Sequence, residues 1–217
     1  MFVGLKMLKD FVTVSPDTLV KDAQKSFEDN RLWMLLVVEN EKLVGYVRKE
    51  DVNAALPSVM TSLGKHEISH LMSKLTIKEV VRKDIKTVTP ETEIEAAADM
   101  MYEMNLAGLA VVDEKGDLMG YINRSVMLEV LVEEMGYREG GSRITIETED
   151  KFGVLYEVAG IIANMKYSII STSTFFHGNR RIIVFRVATE DTSEIEAALN
   201  ERKYKLVGPD DFSGDWQ

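Results

Sequence analysis

The sequence contains no cysteine, which excludes disulfide bonds and thiolate metal sites. Histidine is also scarce, so His66, His70 and His177 are the only candidate nitrogen ligands. No apolar run approaches the roughly 20 residues of a membrane-spanning helix, and the N-terminal stretch MFVGLKMLKD lacks the apolar core of a signal peptide. We therefore expect a cytoplasmic protein that does not bind a membrane.

Positive charge is in short supply. The chain has 26 lysines and arginines against 36 aspartates and glutamates, and its formal net charge is -10. The basic clusters Arg48-Lys49 and Arg180-Arg181 are too short to follow a phosphate backbone, although either could meet one small anion. We therefore expect no nucleic-acid partner. With 217 residues, of which 45% are apolar, the chain can bury one or two ordinary cores.

One stretch carries an enzyme motif. His66, Glu67 and His70 spell HExxH; on a helix the two histidines would share one face that can hold Zn²⁺, with the glutamate placed to activate a bound water. A zinc-dependent hydrolase is therefore one hypothesis. Such a site needs a third ligand, and the downstream candidates are Glu91, Glu93 and Glu95.

An internal repeat organises the N-terminal part of the chain. It aligns TVSPDTLVKDAQKSFEDNRLWMLLVVENEKLVGYV, residues 13–47, with TVTPETEIEAAADMMYEMNLAGLAVVDEKGDLMGYI, residues 87–122. Each copy predicts a short strand, a helix with Thr18 or Thr92 as its N-cap, two strands joined by a polar turn, and a closing helix. One copy is too small for a core of its own, so we expect the two to pack face to face around a pseudo-two-fold axis.

The repeat changes the interpretation of HExxH. The three downstream glutamates belong to the start of the second copy's helix, where acidic side chains interact favourably with the helix dipole. Gly64 interrupts any helix just before His66. We therefore expect a linker helix whose polar face presents His66 and His70, with adventitious metal binding as a further option. The zinc hydrolase becomes a remote alternative, and no catalytic residues and no metal site are predicted.

The remainder of the chain is predicted to form a second domain. After Met135 the sequence GYREGGSR places Gly140-Gly141 in a predicted flexible joint. The pattern that follows predicts a βαββαβ order, the ferredoxin-like split βαβ. Its strands are expected at 143–147, 168–176, 180–187 and 203–207, and its helices at 153–165 and 192–200.

The duplicated order TVxP, amphipathic helix, LxVV, LxG[YI][VI] and helix resembles a tandem CBS-domain pair, or Bateman module. The turn from Glu149 to Leu155, in which acidic residues precede a glycine that opens a helix, resembles the ACT domain, although Phe152 stands where that family usually has proline. The order CBS, CBS, ACT is similar to the acetoin-utilisation AcuB-type family, whose members are regarded as regulators.

This resemblance implies an α/β (α+β) fold: a CBS pair with pseudo-two-fold symmetry, followed by a ferredoxin-like βαββαβ ACT domain. The expected divisions are the first repeat with its linker at 1–76, the second repeat at 77–136, a glycine-rich linker at 137–142 and the ACT domain at 143–217.

CBS pairs typically bind adenosine-containing ligands between repeats through a motif like G-h-h-[ST]-x-x-D, where h is apolar and the aspartate binds the ribose hydroxyls. The first copy keeps this aspartate as Asp51, whereas the second has Val126. Alternatively, Asp51 only caps or decorates the closing helix. The opposite cleft, in which Val126 would face Trp33 and Met34, is expected to be blocked or structural. Arg48, Lys49 and Lys86 could neutralise phosphates, which Glu50 would oppose. The resemblance implies a cleft formed by Arg48, Asp51, Lys86, Thr87, Val88, Leu106, Ala107 and Gly108.

The candidate ligands of this cleft are AMP, ADP, ATP, S-adenosylmethionine, NAD and cyclic dinucleotides, and no cofactor is required. In the ACT family the turn binds a small effector, often an amino acid. Gly153 would let a ligand approach the backbone; alternatively it only starts a helix packed tightly on its sheet. The candidate effector site consists of Glu149, Asp150, Lys151, Phe152, Gly153, Val154 and Leu155.

We thus expect a cytoplasmic regulatory sensor without enzyme activity, a homodimer through its CBS and ACT surfaces, that acts on a partner enzyme or transporter. The alternative is a module without a working ligand site, which dimerises and docks on such a partner.

Overall fold

The computed structural model describes residues 1–56 and 64–216. It divides into two compact units, Met1–Leu128 and Glu129–Gln217. No helix in these ranges is long and apolar enough to cross a membrane. The α/β fold class, with a repeat pair and a C-terminal domain that has an antiparallel sheet, is confirmed.

The first unit contains two copies of the same arrangement. Its strands are β1 Thr13–Val14, β2 Met34–Glu39, β3 Lys42–Arg48, β4 Thr87–Val88, β5 Gly108–Val112 and β6 Leu118–Asn123. Its helices are α1 Val3–Lys6, α2 Val20–Asp29, α3 Lys49–Ala55, α4 Lys65–Met72, α5 Ile94–Glu103 and α6 Arg124–Glu134, the last of which continues into the second unit. A short 3₁₀ turn, Ile77–Glu79, precedes β4.

Each copy forms a three-stranded sheet, in the orders β1-β2-β3 and β4-β5-β6. In both sheets the first strand is parallel to the second, and the third is antiparallel to it. The registers match, because Thr13 lies opposite Leu36 and Thr87 opposite Ala110. Equivalent residues of the two copies can therefore be compared directly.

The segment just before the first strand of each copy, its lead-in segment, forms backbone hydrogen bonds with the other copy. Leu8 exchanges two backbone hydrogen bonds with Tyr121 of β6, at 2.8 and 3.0 Å, and Arg82 does the same with Tyr46 of β3, also at 2.8 and 3.0 Å. Gly45 permits this approach, since a Cβ there would lie 2.3 Å from the Arg82 carbonyl oxygen. The copies are thus joined by exchanged backbone segments.

Side chains also join the copies. One apolar cluster takes residues from both sheets, and Tyr46 and Tyr121 occupy equivalent positions in it. Within the first copy, α2 buries the predicted stripe of Val20, Ala23 and Phe27, each of which is fully buried. The buried members of the shared cluster are Met34, Leu36, Tyr46, Ala110 and Tyr121.

The predicted N-caps are wrong. α2 and α5 begin after Leu19 and Glu93, and neither of these residues makes a side-chain cap. The Thr18 hydroxyl instead accepts a hydrogen bond from the N–H of Ser15 at 3.0 Å, and Thr92 closes the equivalent turn. The threonines therefore stabilise the turn that follows the first strand of each copy, rather than the helix.

The second unit has the predicted βαββαβ order. After a 3₁₀ turn, Tyr137–Glu139, its elements are β7 Ser142–Thr148, α7 Val154–Asn164, β8 Ile169–His177, β9 Arg180–Val187, α8 Ser193–Glu201, β10 Lys205–Leu206 and a 3₁₀ segment, Pro209–Trp216. The four strands are antiparallel in the order β10-β7-β9-β8, so β8 is an edge strand. Apolar residues of α7 and α8 pack on one face of this sheet.

The segment before β7 is bound to the sheet, which differs from the predicted flexible joint. Arg186 of β9 donates hydrogen bonds to the carbonyl oxygens of Gly140 and Gly141, at 3.2 and 3.1 Å. Gly141 has a φ of 69°, and a Cβ there would lie 2.2 Å from the Val187 carbonyl oxygen. The glycine therefore serves a left-handed turn and close packing.

Candidate ligand clefts of the repeat pair

Asp51 lies in the first turn of α3, which begins directly after β3. Its Oδ2 accepts hydrogen bonds from the Arg48 backbone N–H at 3.2 Å and from Arg82 Nε at 2.7 Å, and its Oδ1 accepts one from Arg82 Nη2 at 2.6 Å. The Asp51 side chain is 16% exposed and that of Arg82 is 41% exposed. The carboxylate is therefore held between the helix start and the segment that leads into the second copy.

The charge of this group follows from its partners. The hydrogen bond from Arg82 lowers the pKa of Asp51, and partial burial opposes this shift without reversing it. The same contact raises the pKa of the Arg82 guanidinium. Both groups are ionised at neutral pH, so Asp51 is a carboxylate that can accept hydrogen bonds from hydroxyl groups.

The closing helices of the two copies, α3 and α6, each begin with one of the two hydrogen bonds that make up a capping box, and the two copies use different ones. In the first copy the Asp51 side chain accepts from the backbone N–H of Arg48; in the second the Asn123 side chain accepts from the backbone N–H of Val126 at 3.0 Å. A complete capping box would contain both contacts. The exchange of Asp51 for Val126 therefore has a structural reason that is independent of any ligand.

Arg82 is the residue that the sequence prediction missed. It occupies the position equivalent to Leu8, and the repeat alignment began later, at Thr13 and Thr87. A charged residue at an otherwise apolar repeat position was a signal available in the sequence. Its partner Asp51 is 31 residues away in the chain, and only the crossing of the lead-in segment brings the two together.

The remaining predicted residues form a second group along β4 and β5. Lys86 and Thr87 are exposed, whereas Val88, Leu106 and Gly108 are buried. The backbone oxygens of Leu106 and Ala107 accept hydrogen bonds from Arg124, at 3.0 and 3.2 Å. In the described ranges no hydrogen bond joins Asp51 to this second group. Arg48 is paired through its side chain with Glu50, at 3.1 Å.

The opposite cleft differs from its prediction. Instead of being blocked, it contains a cavity of about 320 Å³. Met34 contributes to the wall as predicted, but neither Trp33 nor Val126 lines the cavity, and Trp33 is 71% exposed. Residues of both copies meet there, including Leu32 and Met34 of the first and Tyr121 and Asn123 of the second.

The predicted ACT turn is largely exposed. Glu149 pairs with Lys151 at 2.8 Å, and Asp150 pairs with Arg181 of β9 at 2.5 Å. Phe152 is fully exposed and Leu155 is 42% exposed, whereas Val154 belongs to the core. These residues lie together at the N-terminal end of α7.

Gly153 begins this helix with a φ of 84°, a conformation that favours glycine. A Cβ there would meet no heavy atom within 4 Å. The alternative in which tight packing requires this glycine is therefore not supported, and the space beside it is open.

The HExxH motif lies on α4, as the linker prediction required. The Glu67 carboxylate accepts a hydrogen bond from the Gly64 N–H at 2.8 Å, which caps the helix. His66 and His70 are exposed. Across residues 1–56 and 64–216, no group of three or more histidine, aspartate or glutamate side chains is arranged to hold a metal ion. Glu67 of the motif thus has a capping role in this structure.

The geometry defines a duplicated α/β module with a cavity between its copies, followed by a ferredoxin-like domain. Comparison with known proteins identifies the families of both domains. The CBS domain matches residues 3–58 and 77–133, and the TTHA0829-like ACT domain matches residues 140–208. The chain belongs to the CBS-domain family, and it combines a tandem CBS pair with an ACT domain.

Three known proteins illustrate the similarity. The inosine-5'-monophosphate dehydrogenase of Methanocaldococcus jannaschii is 33% identical over 117 residues, which cover 54% of this chain and 21% of that enzyme. The structure of the acetoin utilization protein AcuB from Vibrio cholerae has a TM-score of 0.53 and 23% identity, over 65% of this chain and 98% of that one. The structure of CBSX2 in complex with AMP has a TM-score of 0.50 and 25% identity, over 61% and 96%.

The matches concern parts of several relatives. The match to protein MJ1232 of M. jannaschii, which is 26% identical over 129 residues, spans 39% of that protein. The shared region of the dehydrogenase is likewise a fifth of its length. What this chain shares with these relatives is the CBS module.

Proposed function

We propose that this protein is a cytoplasmic regulatory sensor without enzyme activity, whose CBS pair binds an adenosine-containing ligand in the Asp51 cleft. The observation that carries the proposal is the Asp51 carboxylate, which is ionised, only 16% exposed and placed where the two copies meet. CBSX2, which is 25% identical to this chain, has been solved with AMP and supports this class of ligand.

The proposed contact uses the free acceptor capacity of Asp51. Two carboxylate oxygens offer about four lone-pair positions, and the carboxylate accepts three hydrogen bonds in this structure. Two ribose hydroxyls therefore need at least one position that is now occupied, and in this proposal they take one from Arg82 while the Arg48 N–H keeps its own. Once displaced, the Arg82 guanidinium becomes available to a phosphate of the same ligand, together with Lys86.

Thermal unfolding of the protein with AMP, ADP, ATP, S-adenosylmethionine, NAD and cyclic di-AMP tests this site. A ligand at 100 times its Kd stabilises a protein by about 2.7 kcal/mol, and we expect at least one of the six to raise the Tm. Asp51→Asn should remove that shift, while Asp17→Asn, which changes an exposed carboxylate in the turn before α2, should leave it intact.

If none of these ligands raises the Tm, or if Asp51→Asn responds like the wild type, the nucleotide proposal is wrong. The alternative, a dimerisation and docking module for an enzyme or transporter, would then be favoured. The structure offers one observation for it: the Asp51 carboxylate is already satisfied by Arg82 and by the Arg48 N–H.

A second ligand is proposed for the ACT domain, namely a small metabolite such as an amino acid at Glu149 to Leu155. The open space beside Gly153 and the free N–H groups at the start of α7 suit a carboxylate. Addition of each of the 20 common amino acids should perturb the backbone NMR signals of residues 149–155 in at least one case. Unchanged signals throughout would exclude amino acids at this turn.

The proposed regulation requires a ligand to bind two conformations with different affinity. We further propose that the working form is a homodimer. In the second unit β8 is an edge strand of nine residues, and Phe175 and Phe176 near its end are 49% and 61% exposed. An edge strand with exposed aromatic side chains is suited to pairing with a second copy.

A further inference from the structure

The sheet of the second unit has one face without helices, and an apolar residue is buried on it. In β9 the cluster under α7 and α8 includes Ile183 and Phe185. Successive side chains of a strand point to opposite faces, so Ile182 points away from both helices. Ile182 is nevertheless fully buried, which means that other groups cover this face.

The residues around Ile182 on the same face are mostly charged or aromatic. Glu147 forms ion pairs with Arg180 and Lys205, at 2.8 and 3.2 Å. One carboxylate therefore meets two positive charges, and the group keeps an excess of one. The strand registers place five residues beside Ile182 on what we call the Ile182 face: Glu147, Phe175, His177, Arg180 and Lys205.

The C-terminal 3₁₀ segment, Pro209–Trp216, contacts the Ile182 face through His177. The rings of His177 and Phe212 lie 5.3 Å apart between centroids at 90°, a favourable edge-to-face arrangement. His177 Nε2 lies 2.9 Å from Asp215 Oδ2, a hydrogen-bond distance. Residues three apart in a 3₁₀ helix lie on the same side, so Phe212 and Asp215 form one contacting side that is turned towards the sheet.

This segment is an addition to the domain. The ACT match ends at residue 208, and all strands and helices of the βαββαβ order precede Pro209. The segment contains three aspartates and no lysine or arginine, which complements the excess positive charge of the Ile182 face. Its start is fixed locally, because the Asp211 carboxylate accepts a hydrogen bond from the Gly208 N–H at 2.8 Å. The segment thus covers a face that the domain fold itself leaves without helices.

We infer that the Ile182 face is a docking site for a partner protein, and that the C-terminal segment blocks it in cis. The partner carries a short acidic segment with an aromatic residue and, three residues later, a carboxylate, the pattern of Phe212 and Asp215. Its ring takes the place of Phe212 on His177, and its carboxylate takes the place of Asp215. This site stands whether or not Asp51 binds a nucleotide.

Fluorescence anisotropy with the full-length protein tests the site, and the probe is a labelled peptide with the sequence of residues 208–217. Wild type should bind it weakly, because the apparent dissociation constant rises as the fraction of open sites falls. Phe212→Ala combined with Asp215→Asn in the protein should open the face. Peptide binding should then tighten by about tenfold or more, which corresponds to about 1.4 kcal/mol of lost contact in cis.

Two controls make this gain specific. His177→Ala, added to the double variant, should remove it, because the peptide then loses the residue that it contacts. Asp210→Asn changes the same charge within the segment but off the side formed by Phe212 and Asp215, so it should alter peptide binding by less than about threefold.

Methyl NMR provides a readout that does not depend on the His177 variant. The Ile182 methyl signals should move in the double variant and return towards their wild-type positions when the peptide is added. Unlabelled wild-type protein, in about tenfold excess over the peptide, should not displace it from the double variant, because the wild-type segment stays on its own sheet.

The inference is overturned if the double variant binds the peptide no better than wild type, or if the gain survives His177→Ala. Ile182 signals that stay unchanged in the double variant would show that the segment does not cover this face. Displacement of the peptide by wild-type protein would identify the occupant as a second copy of this chain, against the separate partner inferred.

Discussion

At the scale of single residues, the contact between Asp51 and Arg82 carries the most chemistry in the repeat pair. The arginine donates to both carboxylate oxygens, at 2.7 and 2.6 Å. It occupies a position that is Leu8 in the other copy, so leucine is compatible with this part of the fold. The ion pair between Asp51 and Arg82 is therefore an addition to one copy only.

Replacing Arg82 by leucine should lower the free energy of unfolding by about 1 kcal/mol at pH 7, since the pair is partly exposed. Because Arg82 lowers the folded-state pKa of Asp51, its contribution is complete above the unfolded pKa of about 3.9 and is lost as the pH falls through the folded pKa. Urea unfolding of both proteins at pH 7 and near pH 3 measures this difference.

The control for this experiment is Lys83→Leu, which removes the neighbouring exposed positive charge. It should change the free energy of unfolding by less than about 0.5 kcal/mol. A difference between wild type and Arg82→Leu that is the same at both pH values would contradict a role through the ionised carboxylate.

At the scale of elements, the crossing of the lead-in segment explains why the LxGY motif of each copy contains a glycine. Gly45 lies where a Cβ would come within 2.3 Å of the Arg82 carbonyl oxygen, and at Gly120 it would come within 3.0 Å of the Leu8 carbonyl oxygen. Both glycines recur in the repeat because the same backbone approach occurs twice.

Gly45→Ala should therefore destabilise the protein by about 3 kcal/mol, the upper part of the usual range for overpacking. The matched control is Gly160→Ala in α7, where a Cβ would meet nothing within 4 Å; alanine there should stabilise by about 0.5–1 kcal/mol because it favours the helix. Thermal unfolding of the two variants measures both effects. Equal Tm values for wild type and Gly45→Ala would show that the backbones can separate at little cost.

The helices, the strands and the duplicated fold of the first unit were predictable because the two copies can be aligned with each other, so that each supports the interpretation of the other. Val20, Ala23 and Phe27 show the helix period and are buried as expected. The partner of Asp51 and the cavity of the opposite cleft were not predictable in this way. Both depend on lead-in residues, Arg82 and Leu8, whose contacts are made with the other copy and leave no local periodicity.

At the scale of the whole molecule, the exposed edge of the second unit leads to the last prediction. From Ile169 to Phe176 the strand β8 carries no charged residue and no proline, which are two of the features that usually protect an edge. A third feature, a bulge, is confined to its start, where the register with β9 shifts between Ile169 and Ser171. A second β8 in antiparallel orientation would satisfy its free backbone groups around a two-fold axis. Thr172, which is exposed on this strand, is the position at which a charge would interfere.

Thr172→Lys should raise the dissociation constant of the proposed homodimer by about tenfold or more, since a difference of about 1.4 kcal/mol suffices for that factor. Asn200→Lys adds the same charge at an exposed position of α8, away from the β8 edge, and should leave the constant unchanged. Sedimentation velocity over a range of protein concentrations measures all three proteins. If Thr172→Lys dimerises like the wild type, the copies associate through other surfaces and β8 remains a free edge.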